Sequence, residues 1–319
     1  MRIVALLAFR DEEPFLPYLL ASLSTLVDHI IALDDRSTDQ GPDLLRAAGA
    51  TVEVPPHGTT YGGRRQLLLD MGRAVGGSHF VVVDADEAFT ARFSSGGRPG
   101  IEALRPGAAL AFPFRTLWKG STEHRVGKEY DMPLACVFAD DGVSNYANTA
   151  IHESRLPGVL GLTAQVLPPT TGSMVHLQFV TWERAQTKQA WYRCKEFLDG
   201  SSPIRVNARY LTTLDSPGVR TRPLDGNELR HLPPLEPLAT LPSSWHLEEV
   251  LEWFQEYGPG HFEPLQIWHI PALAEAFRSA EGRDPHTSAV APRVARVVGD
   301  LYGSTRAAGR RVSRRLARR

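Results

Sequence analysis

Apolar runs alternate with amphipathic stretches through the first ninety or so residues. Runs of apolar, often β-branched residues predict buried strands at residues 3–8, 30–33, 51–54 and 80–83. The stretches between them predict helices after Pro14, over residues 42–48 and over residues 64–75. Alternating strands and helices are typical of a parallel sheet with helices on both faces and right-handed crossovers. The pattern therefore predicts an α/β fold with a mostly parallel, Rossmann-like sheet.

The pattern changes beyond residue 90. Further strands are predicted at residues 108–115, 134–139 and 171–177, and the polar residues 118–131 predict a binding loop or hairpin. Residues 182–198 have apolar positions at near-helical spacing, and helices are also predicted at residues 244–257, 267–280 and 290–302. We therefore expect a principal domain over residues 1–198, an irregular Pro- and Gly-rich connection over 199–244, a helical extension over 245–302 and an arginine-rich tail over 303–319.

Composition narrows the class of protein. The 319 residues are 42% hydrophobic and 22% charged, as in soluble globular proteins, and no apolar run reaches the length of a membrane span. Residues 3–9 suit a first strand better than a signal peptide. Cys136 and Cys194 are too few for a disulfide framework, so we expect reduced thiols and a cytoplasmic location.

Charge is unevenly distributed along the chain. The formal net charge of -1 argues against a general nucleic-acid partner, but seven arginines and no acidic residue follow Thr305. The tail is expected to be disordered, or to make a weak, salt-sensitive contact with an anionic membrane surface.

Polar clusters follow three of the predicted strands. They are Arg10-Asp11-Glu12, residues 34–39 (DDRSTD) and Asp84-Ala85-Asp86-Glu87. The carboxyl ends of parallel strands lie at one edge of a sheet, where open α/β folds bind their ligands. Asp84 and Asp86, at i and i+2 of an extended segment, point the same way and can hold a hard divalent cation whose other positions take phosphate oxygens. A cation together with phosphate indicates a nucleotide.

Basic side chains are needed to bind the phosphates, because the chain lacks the two common backbone motifs that bind phosphate. No glycine fingerprint follows the first strand, and no phosphate loop ending in Gly-Lys-Ser occurs. Arg64 and Arg65 open a predicted helix, where the helix amino terminus and the guanidinium groups both favour anions.

Three segments together resemble one enzyme family. They are ALLAFRDEEPFLPYLLASLSTLVDHIIALDDRSTD, GGRRQLLLDMGRAVGGSHFVVVDADE and SNYANTAIHES, and they reach residue 154. In order and spacing they resemble the family 2 glycosyltransferases of GT-A fold, in the branch with DD-x-S-T-D, D-x-D-E and I-H-E motifs. Asp11 and Arg65 stand where that branch usually has asparagine.

The resemblance implies a site for a nucleotide-diphosphate sugar, such as a UDP-, GDP- or dTDP-sugar. Asp35 would contact the base or ribose and Arg64 the diphosphate, while Asp84 and Asp86 would bind the metal and the sugar nucleotide. The same donor-binding set includes Ala8, Arg10, Glu12 and Ala85. Residues 1–90 would be the nucleotide-sugar half, and residues 91–198 the acceptor half, of a GT-A catalytic domain.

The resemblance also suggests a catalytic base and a third metal ligand. A sugar hydroxyl loses its proton as it attacks the anomeric carbon, and a carboxylate is the simplest base. Glu153 aligns with the I-H-E motif and is the first candidate, with Asp140 and Asp141 as alternatives. His176, near the end of the last predicted strand, would complete the coordination of a divalent cation. An imidazole suits Mn²⁺ somewhat better than Mg²⁺.

Together these residues predict a metal-dependent, inverting glycosyltransferase that moves a sugar to a hydroxyl acceptor. Trp118 and His152 are the predicted acceptor contacts. Two alternatives stay open, a sugar-nucleotide nucleotidyltransferase and a non-catalytic nucleotide-sugar binding protein. The first usually carries a G-x-G-T-R-type loop after its first strand, and residues 8–11 differ from it. Donor sugar, base and acceptor class also stay open at the level of sequence.

Overall fold

The computed structural model describes residues 1–127, 130–149, 154–211, 219–242 and 244–286. The predicted helix over residues 290–302 and the arginine-rich tail lie outside these ranges. The strands are β1 Ile3–Phe9, β2 His29–Asp34, β3 Thr51–Glu53, β4 His79–Val83, β5 Glu87–Phe89, β6 Ala109–Phe112, β7 Phe114–Thr116, β8 Glu123–Val126, β9 Leu134–Ala139, β10 Gln165–Val166, β11 Met174–His176 and β12 Arg220–Pro223. The helices are α1 Leu16–Leu23, α2 Gly41–Ala47, α3 Tyr61–Ala74, α4 Ala91–Gly96, α5 Arg98–Glu102, α6 Leu160–Thr163, α7 Trp182–Leu198, α8 Pro203–Leu211, α9 Trp245–Tyr257 and α10 Pro271–Glu281.

Among the described residues, seven strands form one sheet in the order β10-β6-β9-β4-β1-β2-β3. Strands β3, β2, β1 and β4 are parallel neighbours, and β10 is parallel to β6. Strand β9 alone runs antiparallel to its neighbours β4 and β6 within this described sheet. The predicted α/β fold with a mostly parallel sheet is confirmed.

Helices cover both faces of the sheet because β1 is apolar on both sides. Its odd-numbered residues pack in one core cluster with Leu16 and Leu19 of α1. Its even-numbered residues pack in a second cluster with Leu68 and Leu69 of α3. Buried strands of parallel sheets are commonly apolar on both faces for this reason.

A smaller sheet brings two distant segments together beside the carboxyl end of β4. Its described strands have the order β5-β11-β7, and the antiparallel pairing of β11 with β5 sets His176 opposite Glu87. The backbone N–H of Leu177 donates to the carbonyl oxygen of Asp86 at 2.8 Å. This register fixes His176 next to the strand end that carries Asp84 and Asp86.

The chain after β9 runs back along α3 toward that helix's amino terminus. Near the last turn of α3, Arg73 donates to the carbonyl oxygen of Ser144 at 2.9 Å. In the middle, the N–H of Tyr146 donates to Oε1 of Gln66 at 2.8 Å. In the first turn, the N–H of Gly62 donates to the carbonyl oxygen of Thr149 at 3.0 Å.

By its internal contacts the chain divides into two compact units. Within the described ranges, the sheet unit comprises residues 1–180 and 221–239, and the helical unit comprises residues 181–220 and 240–286. The division after residue 180 differs from the boundary expected at residue 198. Helix α7 belongs to the helical unit because its Ala190 and Cys194 pack in one cluster with Val206 of α8 and Val250 of α9.

The segment expected to be irregular contains regular elements. Helix α8 and strand β12 lie within residues 199–244, and β12 pairs with β8. Helix α10 begins at Pro271 rather than at residue 267, since proline favours the first turn of a helix. None of the helices in the described ranges combines the length and apolar character needed to cross a membrane.

Candidate active site

The turns that follow β1 and β2 are fastened to each other by side-chain hydrogen bonds. Oδ1 of Asp11 accepts from the backbone N–H groups of Thr38, at 2.6 Å, and Asp39, at 3.2 Å. The N–H of Asp11 donates to Oγ of Ser37 at 2.9 Å, and the N–H of Ser37 donates to Oδ1 of Asp34 at 2.8 Å. Much of the DDRSTD stretch therefore shapes the turn.

Asp35 has a different partner, on the first turn of α3. Nη1 of Arg64 lies 2.6 Å from Oδ2 of Asp35, in a half-buried ion pair. Thr60 caps the helix, its hydroxyl accepting from the N–H of Gly63 at 3.0 Å. The Nε–H of Arg64 is buried and has no hydrogen-bond acceptor. A buried donor without an acceptor, at a helix amino terminus, is suited to an anion.

Asp84 and Glu87 are held by two arginines. Nη2 of Arg65 lies 3.3 Å from Oδ1 of Asp84, and Nη2 of Arg155 lies 2.5 Å from Oδ2 of the same carboxylate. Arg155 also donates to both carboxylate oxygens of Glu87, at 2.5 and 2.6 Å. Glu87 is fully buried and Arg65 nearly so, so these contacts are only partly screened by solvent.

These contacts change the acidity of the groups involved. Partial burial opposes ionisation of Asp84, but the charges of Arg155 and Arg65 outweigh it and lower the pKa of this carboxyl. Burial raises the pKa of Glu87, and the ion pair with Arg155 opposes the rise. Burial also disfavours the charged form of Arg155, but Asp84 and Glu87 raise its pKa well above the usual value. Arg155 is therefore charged at any physiological pH.

Asp86 and His176 form the second polar pair of this edge. Oδ2 of Asp86 lies 3.3 Å from Nε2 of His176, and both side chains are largely buried. The ring of Phe114 flanks the imidazole, with centroids 5.3 Å apart. The two residues are ninety positions apart in sequence and meet because β11 pairs with β5.

The donor set suits a cation that also binds phosphate. In the ranges the structure covers, no three His, Cys, Asp or Glu side chains form a group that could hold a metal ion by themselves. Both oxygens of Asp84 already contact guanidinium groups, which leaves Asp86 and His176 as the adjacent pair of metal-ligand types. One or two protein ligands suffice when substrate phosphates and water complete the coordination of Mg²⁺. An imidazole ligand suits Mn²⁺ somewhat better than Mg²⁺.

Comparison with known proteins finds similarities to solved structures. No protein-family model matches the chain, and a search of curated proteins found no match. The chain is similar to S. aureus TarS 1-349 in complex with UDP, with 14% identity over 96% of this chain and 92% of that chain and a TM-score of 0.39. It is similar to the same extent to TarS 1-349 in complex with UDP-GlcNAc. Similarity to glucosyl-3-phosphoglycerate synthase from Mycobacterium tuberculosis, in complex with phosphoglyceric acid, covers 37% of this chain and 44% of that chain, with 23% identity and a TM-score of 0.28.

Two of the candidate bases lie at the wrong edge of the sheet. Because β9 is antiparallel to β4, its last residue Ala139 pairs with His79 at the start of β4. Asp140 and Asp141 therefore lie at the amino edge, on the order of 16 Å from the carboxyl edge across five residues of strand. Asp140 forms a two-point ion pair with Arg73 at 2.8 and 2.9 Å. The expectation that either residue could serve as base at the carboxyl edge is wrong.

Asp141 is a turn residue. Its Oδ1 accepts from the N–H groups of Val143, at 3.0 Å, and Ser144, at 2.7 Å. Partial burial opposes ionisation of Asp141, but hydrogen bonds such as these outweigh it and lower the pKa of the carboxyl.

Two further predicted contacts are buried in packing. Trp118 is only 8% exposed, with the guanidinium carbon of Arg125 4.3 Å from its ring centroid and the Phe179 ring 5.3 Å away. Such a ring has no open face of the kind expected for an acceptor platform. The methyl group of Ala85 lies in the core, so any donor contact there is limited to its backbone.

The remaining predicted residues fall into two groups. Ala8, Arg10 and Glu12 lie at or just after the end of β1, on the same edge as Asp35 and Asp84. Glu153 and His152 lie outside the described residues. Their predicted roles as base and acceptor contact stay predictions.

Sequence reasoning missed Arg155 and the structural importance of Glu87. A glutamate close to the end of a buried strand needs a counter-charge when it is itself buried, which is a usable signal. The sequence offers many arginines, however, and nothing local to residue 155 indicates which of them supplies that charge.

Proposed function

We propose that this protein is a glycosyltransferase of GT-A type that uses a nucleotide-diphosphate sugar, a divalent cation and a hydroxyl acceptor. The observation that supports it most is that two sets of residues lie at the carboxyl edge of the parallel strands. Arg64 has a buried Nε–H that lacks an acceptor, and we assign it to an anion. Asp86 and His176 lie 3.3 Å apart, and we assign this pair to a cation.

The charges of this edge favour a diphosphate that arrives with a metal ion. Each guanidinium group described above faces a carboxylate, and Asp86 adds a further negative charge. The described ion pairs thus provide no surplus positive charge for a diphosphate. A divalent cation at Asp86 and His176, Mn²⁺ or Mg²⁺, would supply neutralisation of the charge that develops on the leaving diphosphate.

The chain's own residues would act as follows. Arg64 would donate from Nε to a phosphate oxygen while Asp35 holds the guanidinium in place. Asp84, fixed by two arginines, would accept a hydrogen bond from a donor hydroxyl. An acceptor hydroxyl, deprotonated by a carboxylate, would attack the anomeric carbon from the face opposite the diphosphate and invert it. Glu153 remains our first choice for that base by resemblance, because Asp140 and Asp141 lie at the other edge.

Nucleotide binding and turnover of paired variants would test this proposal. UDP, GDP and dTDP are each titrated with Mn²⁺ and with EDTA, and binding is followed by the shift in melting temperature. We expect one of them to stabilise the wild-type protein with Mn²⁺, and Asp86→Asn to abolish that effect. Asp140→Asn, a carboxylate at the opposite edge, is the matched control and should bind like the wild type. An Asp86 variant with full turnover, together with no effect of EDTA, would remove the metal from the mechanism.

Product analysis separates the alternatives. A glycosyltransferase releases a nucleoside diphosphate from a sugar nucleotide, whereas a nucleotidyltransferase releases pyrophosphate from a nucleoside triphosphate as it joins the nucleotide to a sugar phosphate. Binding of a sugar nucleotide without turnover on a broad panel of hydroxyl acceptors would favour the non-catalytic alternative. Glu153→Gln should lower turnover at least about 100-fold with little change in donor affinity if Glu153 is the base.

A cytoplasmic location and the absence of a nucleic-acid partner stay predictions from the sequence.

A further inference from the structure

Arg155 joins two carboxylates that follow the same strand. Its guanidinium group contacts Oδ2 of Asp84 at 2.5 Å and both oxygens of Glu87 at 2.5 and 2.6 Å. The arginine side chain is 14% exposed and that of Glu87 is completely buried. A fork of parallel N–H···O bonds fixes orientation as well as distance, which a single point charge cannot do.

Asp84 is held from its other side by Arg65. That guanidinium group approaches Oδ1 of Asp84 at 3.3 Å and donates to the hydroxyl of Tyr61 at 2.9 Å. The backbone N–H of Asp84 donates to Oε2 of Glu87 at 3.0 Å. Arg65, Asp84, Arg155 and Glu87 thus form a chain of alternating charges in which both oxygens of Asp84 are engaged.

Arg155 reaches this network from a segment that is itself anchored. The carbonyl oxygen of Arg155 accepts from the hydroxyl of Tyr146 at 2.6 Å. The next residue, Leu156, is 1% exposed and packs in the core cluster that contains Leu68 of α3. The backbone at residue 155 is therefore fixed independently of the carboxylates it contacts.

We propose that Arg155 is a positioning residue of the donor site, which orients the Asp84 carboxylate for a hydroxyl of the sugar nucleotide and is itself oriented by Glu87. The proposal rests on the proposed function. It assigns Asp84 to hydrogen bonding and leaves cation binding to Asp86 and His176, since guanidinium groups contact both oxygens of Asp84. It also gives the buried Glu87 a role in donor binding without any contact to the donor.

Arg155→Met is the first test, with Arg73→Met as matched control. Arg73 makes the same two-point contact with a carboxylate, Asp140, at the opposite edge of the sheet. We expect Arg155→Met to weaken nucleoside diphosphate binding in Mn²⁺, measured by calorimetry with UDP, GDP and dTDP, by at least about tenfold. Arg73→Met should lower the melting temperature and leave affinity within about twofold. Equal affinity of Arg155→Met and the wild type would overturn the proposal.

Two further variants separate positioning from folding and from charge. Arg155→Met leaves Glu87 buried without its partner, so the double variant with Glu87→Gln removes both charges and should fold. We expect it to bind as weakly as the single variant. Arg155→Lys keeps the charge but cannot bond both carboxylates as a fork, and we expect no recovery of affinity. Full recovery by lysine would show that charge alone suffices, which contradicts positioning.

If no nucleotide binds the wild-type protein, a crystal structure of Arg155→Met still tests whether Arg155 positions the Asp84 carboxylate. In that case the proposed function fails, but the geometric claim can still be judged. We expect the Asp84 carboxylate in a different rotamer once one of its two guanidinium partners is removed. An unchanged Asp84 carboxylate would refute the claim that Arg155 positions it.

Discussion

Buried arginines in this chain differ in what surrounds them. Arg65 and Arg155 in the sheet unit contact carboxylates, whereas Arg193 in the helical unit is completely buried and none of its three guanidinium nitrogens has an acceptor. The Tyr210 ring centroid, 5.9 Å from its guanidinium carbon, is a weak substitute. Burial lowers the pKa of Arg193 to about 10, so the side chain is still charged at neutral pH.

Arg193→Met should therefore stabilise the protein. An unpartnered buried charge costs the folded state on the order of 3 kcal/mol, and a methionine of similar length removes that cost. Because burial lowers the pKa of this base in the folded state, the penalty is complete below pH 10 and fades only as the pH rises toward the ordinary arginine value. Denaturant unfolding at pH 7 should show a higher midpoint for the variant.

Arg209→Met provides the control for this measurement. Nη1 of Arg209 lies 2.7 Å from Oε1 of Glu196, which is nearly buried, so its removal leaves a carboxylate without that partner. We expect Arg209→Met to lower the unfolding midpoint. A fall in stability of the Arg193 variant as well would mean that the guanidinium group contributes through packing alone.

At the same scale, the sequence predicts which residues lie at the carboxyl edge of the sheet better than it predicts their partners. Asp35, Arg64, Asp84 and Asp86 follow from strand ends and a helix start, because parallel strands share one carboxyl edge. Asp140 could not be excluded in advance, since its position depends on the antiparallel direction of β9. Strand direction is set by the tertiary connection and leaves no local trace in an apolar run.

Helix α3 is the element on which the candidate site depends most. It carries Arg64 and Arg65, and its first turn lies against residues 147–149. A Cβ atom added at Gly62 would lie 2.0 Å from the carbonyl oxygen of Ala147 and 2.7 Å from the backbone nitrogen of Thr149. Backbone cannot yield as a side chain can, so the glycine permits a close approach of two main chains.

Gly62→Ala should therefore damage both stability and nucleotide binding. We expect a loss of about 1–3 kcal/mol in the free energy of unfolding, because the added methyl group pushes the first turn of α3 away from residues 147–149. Displacement of Arg64 should also reduce the stabilisation by a nucleoside diphosphate in Mn²⁺. Chemical unfolding and thermal shift check the two effects.

Gly100→Ala is the matched control. It also places a methyl group in a helix, but no atom lies within 4 Å of the added Cβ. We expect unchanged or slightly greater stability, since alanine favours the helical conformation over glycine. If Gly62→Ala behaved like this control, the close contact at the start of α3 would not govern the site.

Most helices and strands could be predicted from the sequence. The prediction was wrong where a helix lies in a polar, proline-rich segment. The apolar run at residues 134–139 matches β9, and β4 begins one residue earlier than predicted. Helix α8 lies in a proline-rich segment, and Asn207, whose side chain donates to the carbonyl oxygen of Pro264 at 2.9 Å, ties it to a distant part of the helical unit. Such tertiary bonds override local propensity.

At the scale of the whole chain, the boundary between the two compact units and the change in charge lie at different places in the sequence. The units separate at residues 180–181, a division that depends on which helix packs against which and not on composition. The balance of charged residues changes only after Thr305, where the chain becomes strongly basic. Removing the seven arginines after Thr305 from the formal -1 leaves -8 for residues 1–304.

This asymmetry predicts salt-sensitive binding to anionic membranes through the last fifteen residues. We expect the full chain to cosediment with vesicles of phosphatidylcholine and phosphatidylglycerol in about 0.1 M salt and to dissociate near 1 M, where the Debye length falls to roughly 3 Å. A chain ending at Ser304 should stay in the supernatant. Vesicles of phosphatidylcholine alone are the control, and binding to them would point to an apolar rather than an ionic contact.

The length of α3 is matched to the segment that returns along it. Strand β9 ends at the amino edge of the sheet, and hydrogen bonds with Arg73, Gln66 and Gly62 then hold the returning backbone along α3. Deleting one helical turn would shorten α3 by about 5.4 Å, so its hydrogen bonds with residues 144–149 would no longer align. The number of turns in α3 and the length of the return segment therefore have to change together.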